Sequence, residues 1–260
     1  MMKRAWIAPL VAAVFASGLM VAYVVLDGID WAEWLRIAAP VAAVLMVLVG
    51  SIRARPVRPV PWWVFGAGLG VLAVATLTQS DQLLAGPVVF PGDTEAIMVL
   101  AYPALFSGMA GMTSSHRRSR DILVGSEPII YSIAITALVW LAVTGPFHDG
   151  DGFPLQAEAW VWVFPLLDAL LATIACRRIG DDPHKRFEIL MLGFLLLGAG
   201  HAISAWAAFE ATLAPGSWQA AAPMLGVTLV GSTFLMSPRR FLDAAGAPRV
   251  HWTQIFGMLC

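Results

Sequence analysis

Long apolar runs, separated by short polar segments, follow one another along the whole chain. Eight of them, at about residues 5–26, 34–52, 61–79, 95–113, 127–145, 159–176, 188–209 and 219–236, are 18 to 22 residues long. As helices, runs of that length cross a hydrocarbon core roughly 30 Å thick. Within each run the apolar residues are continuous rather than alternating, so the pattern predicts helices and not a transmembrane barrel. Composition points the same way. Charged residues make up 13% of the 260-residue chain, against roughly 25% in soluble domains. The expected fold class is therefore all-α, a polytopic helical membrane protein with about eight transmembrane helices.

The segments between the runs carry their charge in alternation. Lys3 and Arg4 precede the first run, and Arg53, Arg55 and Arg58 follow the second. Arg117, Arg118 and Arg120 follow the fourth, and Arg177, Arg178, Lys185 and Arg186 the sixth. Arg239, Arg240 and Arg249 come after the eighth, which puts 15 of the 16 basic residues on one side. The remaining one, Arg36, stands at an outer helix end, where it is expected to snorkel to the interface. The other segments are acidic, with Asp27, Asp30 and Glu33, then Asp81, Asp93 and Glu95, then Asp149, Asp151 and Glu158. By the positive-inside rule both termini are cytoplasmic and the number of spans is even, in the cytoplasmic membrane. Residues 1–238 form the bundle, and 239–260 a short cytoplasmic tail or the start of a further, truncated span.

Smaller features fit this frame. The first run follows a basic stretch, as a signal peptide would, but continues to Leu26, beyond the usual apolar core of about 7–15 residues. It is expected to remain as a helix. Cys176 and Cys260 fall on the inner side, so no structural disulfide is expected. Trp31, Trp34, Trp160 and Trp218 sit at the outer boundary and Trp6, Trp62 and Trp63 at the inner one, as interface belts. "GAG" occurs at Gly66–Gly68 and Gly198–Gly200. "LAV" recurs at Leu72 and Leu141, and an aromatic-Pro pair at Tyr102-Pro103 and Phe164-Pro165. These recurrences raise the idea of a parallel helix-hairpin repeat. Gly66 with Gly70, and Ser107 with Gly111, have the four-residue spacing that lets helices pack closely.

No P-loop, dinucleotide fingerprint, HExxH, CxxC or GxSxG is present, and the expectation is a protein that is not an enzyme and has no cofactor. His148 and His184 each stand alone in an acidic loop, without a second ligand at metal spacing, so no metal is expected. The basic clusters are explained by topology, and nucleic acid is not expected among the partners.

One acidic residue lies deep in a span. Asp168, in "VWVFPLLDALL", costs roughly 2.5–3.5 kcal/mol at the centre of a bilayer, so it is expected to face the bundle interior. The candidate partner is His201 in the next span, at a depth differing by only about 4 Å at ~1.5 Å per residue. The pair reads as a structural lock between helices, or as a proton-sensitive sensing or relay pair. A carboxyl group among apolar side chains can also stay protonated without a partner. Pro165, three residues earlier, is expected to bend its helix. Tyr131, Ser132, Thr136, Ser204, Thr228, Ser232 and Thr233 are expected to hydrogen-bond between helices.

The order of these segments resembles a known arrangement. "FPGDTEAIMVLAYPALFSGM", "RRSRD" leading into "EPIIYSIAITALVWLAVTGPF", "WVFPLLDALLATIACRRI", then "GSW" and a last span ending "SPRR" look like the multi-pass membrane region that precedes GGDEF and EAL domains in actinobacterial diguanylate cyclases and phosphodiesterases. The resemblance covers roughly residues 5–240. Tyr102, Pro103, Pro165 and Asp168 match positions that recur in that family, and Arg120, Asp121 and Glu127 resemble its acidic approach to the fifth span. It implies a signal-input region, non-catalytic by itself, with the lipid bilayer and a cytoplasmic or fused output domain as partners, and leaves a homodimer open. The departures are specific. Neither GGDEF nor EAL sequence is present, and His201 stands in the middle of the seventh span, where the family carries an acidic residue. The end at "VHWTQIFGMLC" suggests a truncated member, or a stand-alone protein with a short interfacial helix. The alternative function is a small-solute or proton-coupled transporter using Asp168 and His201. Candidate sensing or relay residues are thus Asp168, His201, Pro165, Tyr102 and Pro103.

Overall fold

A computed structural model of the chain describes residues 7–26, 33–54, 56, 59–86, 90–113, 155–179, 186–210 and 212–236. They form helices α1 (Ile7–Val25), α2 (Glu33–Ala54), α3 (Val60–Ala85), α4 (Asp93–Thr113), α5 (Leu155–Cys176), α6 (Arg186–Phe209), α7 (Trp218–Ala221) and α8 (Pro223–Ser232), followed by a 3₁₀ turn at Thr233–Met236. Among the described residues, α2, α3, α4, α6 and the unit Trp218–Met236 are long and apolar enough to cross a membrane. Apolar stretches of α1 and α5 are shorter, Pro9–Val25 and Trp160–Cys176. The protein is a helical membrane protein. The predicted fifth span, 127–145, lies outside the described residues, as do Tyr131, Ser132, Thr136, His148, His184 and Cys260.

α3 and α4 pack antiparallel, as do α6 and α8. On α3 and α4, Gly68 lies against Leu105, Gly108 against Phe65 and Gly111 against Pro61. On α6 and α8, Gly193 meets Val230, Gly200 meets Pro223 and Gly226 meets Leu197. α2 and α8 run parallel, with Gly231 on Ala43 and Gly50 on Phe234. One end of the bundle gathers Glu33, Asp81, Asp93, Glu95 and Glu210, and the other Arg53, Arg177, Arg178 and Arg186. These are called the acidic and the basic end below. Near the basic end an aromatic cluster is buried between α3, α6 and the 3₁₀ turn. Phe65 lies 6.3 Å from Phe194 and 5.1 Å from Phe234, and Trp62 meets Phe234 edge-on at 5.2 Å.

Several expectations need correction. Trp62 is buried on Phe234 rather than anchored in a belt, whereas Trp34, Trp63 and Trp218 are exposed. Of the two four-residue pairs, Gly66 and Gly111 meet Val47 and Pro61. Among the described residues nothing lies within 4 Å of a Cβ at Gly70, and Ser107 is exposed, so each spacing marks a contact at one of its two positions. Further contacts fall at Gly68 and Gly108, whose partners approach with backbone atoms as well as side chains. α3 runs six residues past the end of its apolar run because Gln79, Ser80 and Gln82 are hydrogen-bonded to neighbouring helices. The last apolar run is interrupted between Ala221 and Pro223, where proline lacks the N–H that a continuous helix would use. The motif order in the two described hairpins is reversed. The GAG helix precedes the aromatic-Pro helix in α3–α4 and follows it in α5–α6.

Gly226 carries the tightest of these contacts. A Cβ there would stand 2.2 Å from the Leu197 nitrogen and 2.4 Å from its Cα, so the two backbones could not keep their spacing. Gly226→Ala is expected to lower stability by about 1–3 kcal/mol. Gly70→Ala, with nothing within 4 Å, should be neutral or slightly stabilising. Thermal unfolding of the purified protein in detergent checks the contrast.

Candidate functional site

Three of the singled-out residues converge. Asp168 on α5 is fully buried and its two oxygens face different helices. Nδ1 of His201, on α6, is hydrogen-bonded with Oδ2 at 2.7 Å, and the Tyr102 hydroxyl, on α4, donates to Oδ1 at 3.1 Å. One carboxylate thereby ties three helices together. Gly198 makes the close approach of α6 feasible. A Cβ there would be 3.1 Å from Asp168 Cβ and 3.4 Å from the Pro165 carbonyl oxygen. His201, three residues on, shares that face of the helix. Phe164 fills the space between the outer partners. Its ring is 6.0 Å from Tyr102, near parallel, and 6.0 Å from His201, edge to face. Pro165 sits one turn before Asp168 within a helix that continues through it. Pro103 is exposed and stands apart from the cluster.

A second polar cluster lies at the acidic end and was missed by sequence reasoning. Arg36 does not snorkel: it is only 2% exposed. Its Nε donates to Glu33 at 3.0 Å and Nη1 to Gln79 at 2.6 Å. Its Nη2 donates to the Thr76 carbonyl at 3.2 Å and the Ser80 hydroxyl at 2.5 Å. The Tyr23 hydroxyl of α1 donates to the other oxygen of Glu33 at 2.5 Å and accepts from the backbone N–H of Gly216 at 2.9 Å. α1, α2, α3 and the turn before α7 are joined by this chain. The signal was available, because Arg36 alone among the basic residues broke the charge alternation.

Between the two clusters is a cavity of about 60 Å³. Arg36, Gln79, Thr94 and Glu95 line it toward the acidic end, His201 and Ser204 deeper in, and Leu72, Met98, Phe164, Met224 and Val227 supply apolar wall. Glu95 is buried and accepts from the Gly92 N–H at 2.7 Å, capping α4. Ser204 donates to the Gln219 carbonyl. A smaller cavity, about 30 Å³, lies at the basic end beside Trp62, Arg186 and Phe234. Among the described residues, no group of three or more His, Cys, Asp or Glu could hold a metal ion. Comparison with protein-family models, with curated proteins and with solved structures gives no match.

Proposed function

We propose that this chain is a membrane-embedded signal-input bundle, non-catalytic by itself. The reading draws on the resemblance of its segments to the region preceding GGDEF and EAL domains. In this proposal it has about eight spans in the cytoplasmic membrane and both termini in the cytoplasm, and acts on a cytoplasmic or fused output partner. The observation that carries the reading is the Tyr102–Asp168–His201 cluster. It joins three helices through one buried carboxylate, and His201 also lines a cavity. A change at His201 is felt at once by α4, α5 and α6, which is what an input site requires. A carrier using Asp168 and His201 needs a route onward to the other face. The aromatic cluster of Phe65, Phe194 and Phe234 stands across that direction, which favours input over transport.

Two measurements test this. The full chain, fused ahead of a diguanylate cyclase domain, should give a cyclic-di-GMP output that Asp168→Asn and His201→Gln each shift at least threefold, at equal membrane level. In proteoliposomes the unfused chain should show no proton flux above that of Asp168→Asn. An output indifferent to both substitutions, or a flux abolished by Asp168→Asn, would overturn the reading in favour of transport or a purely structural cluster.

A further inference from the structure

We infer that the cavity beside His201 is a binding site for a small amine: an apolar body of about four carbons with one protonated nitrogen as its head. The inference rests on the input reading for its consequence but not for its evidence. The apolar wall of Leu72, Met98, Phe164, Met224 and Val227 sets the body, since burying each methylene is worth about 0.8 kcal/mol. The polar groups set the head.

His201 is the first of these. Its side chain is 9% exposed, and with Nδ1 committed to Asp168, Nε2 is the ring nitrogen left for the cavity it lines. Among the described residues Nε2 makes no hydrogen bond. When Nδ1 carries the hydrogen of the neutral ring, Nε2 is an acceptor and calls for a donor.

Glu95 is the second. It is buried, lines the same cavity, and spends one oxygen on the Gly92 N–H. A carboxylate has about four lone-pair sites, so it retains capacity for an N–H donor. Arg36 does not oppose this choice. Every nitrogen of its guanidinium is engaged with Glu33, Gln79, Thr76 or Ser80, and its charge is matched by Glu33 at 3.0 Å. An incoming carboxylate would have to break that set, whereas an amine meets Glu95 and His201 as they stand.

A free amine and the head group of an amine-bearing lipid share this chemistry, and the test separates them. The full chain in phosphatidylcholine nanodiscs is melted with n-butylamine, 1-butanol or butyrate, which share one body and differ in the head. Butylamine should raise the melting temperature saturably and bind about tenfold more tightly than butanol, with butyrate weakest. Glu95→Gln keeps an oxygen for the Gly92 N–H, and should bring butylamine down to the level of butanol. Phosphatidylethanolamine nanodiscs should blunt the butylamine shift if the lipid head group fills the site and leave it unchanged if the ligand is a free amine. No saturable shift with any probe overturns the site, and a preference for butyrate or for butanol overturns its assigned chemistry. Failure of the cyclase fusion to respond while butylamine still binds would sink the input reading and leave the site standing.

Discussion

Arg36→Met lowers the stability of the bundle by about 3–5 kcal/mol, the range for removing one partner of a buried ion pair. The guanidinium supplies hydrogen bonds to four groups on α2 and α3. Glu33, 4% exposed, is left with Tyr23 as its side-chain partner among the described residues. The loss is mostly a penalty for the stranded carboxylate rather than the net worth of the pair, since buried pairs replaced together are often near neutral. Arg36→Met with Glu33→Gln should therefore recover more than half of the deficit, because a glutamine oxygen still accepts from Tyr23. Equilibrium unfolding in mixed micelles measures both. Strictly additive losses would show that the two side chains act independently.

Asp168→Ala is expected to cost about 2–4 kcal/mol, the sum of two buried groups left without an acceptor. His201 and Tyr102 are both buried, and each is hydrogen-bonded to that carboxylate. Asp168→Asn keeps one acceptor oxygen and should lose less than half as much. Replacing Asp168 and His201 together by leucine should destabilise less than either single replacement. The coupling between them should be about 1–2 kcal/mol, the upper part of the range for polar pairs inside membranes. A coupling within error of zero would separate the contact from the energetics. A cluster this costly to break is a firm joint between the three helices.

Much of the helical plan was legible from hydropathy because membrane helices satisfy their own backbone and need only length and apolarity. Depth counting along neighbouring antiparallel helices was enough to pair Asp168 with His201. The partnership of Asp168 with Tyr102 was not legible, since the two are 66 residues apart and nothing in local spacing brings α4 to α5. Arg36 was misjudged for a physical reason. Its position at a helix end suits snorkelling, and only the facing Gln79 and Ser80 of α3, 43 and 44 residues on, make burial affordable. Glycine spacing misled because close contact is decided by the facing helix. Gly68 and Gly108 meet partners, while Gly70 faces none of the described residues within 4 Å. The break at Pro223 was visible as a proline near the start of an apolar run, which hydropathy averages away.

The contacts of Gly193, Gly200 and Gly226 bring the α6 and α8 backbones together with almost no side chain between them. Two helices joined that way have no soft layer to shear, so they turn or tilt as a single plank. His201 rides on that plank, while its partner Asp168 and, beyond it, Tyr102 stand on other helices. Any displacement of the α6–α8 pair is therefore carried to α5 and α4 through the Asp168 carboxylate rather than absorbed between α6 and α8.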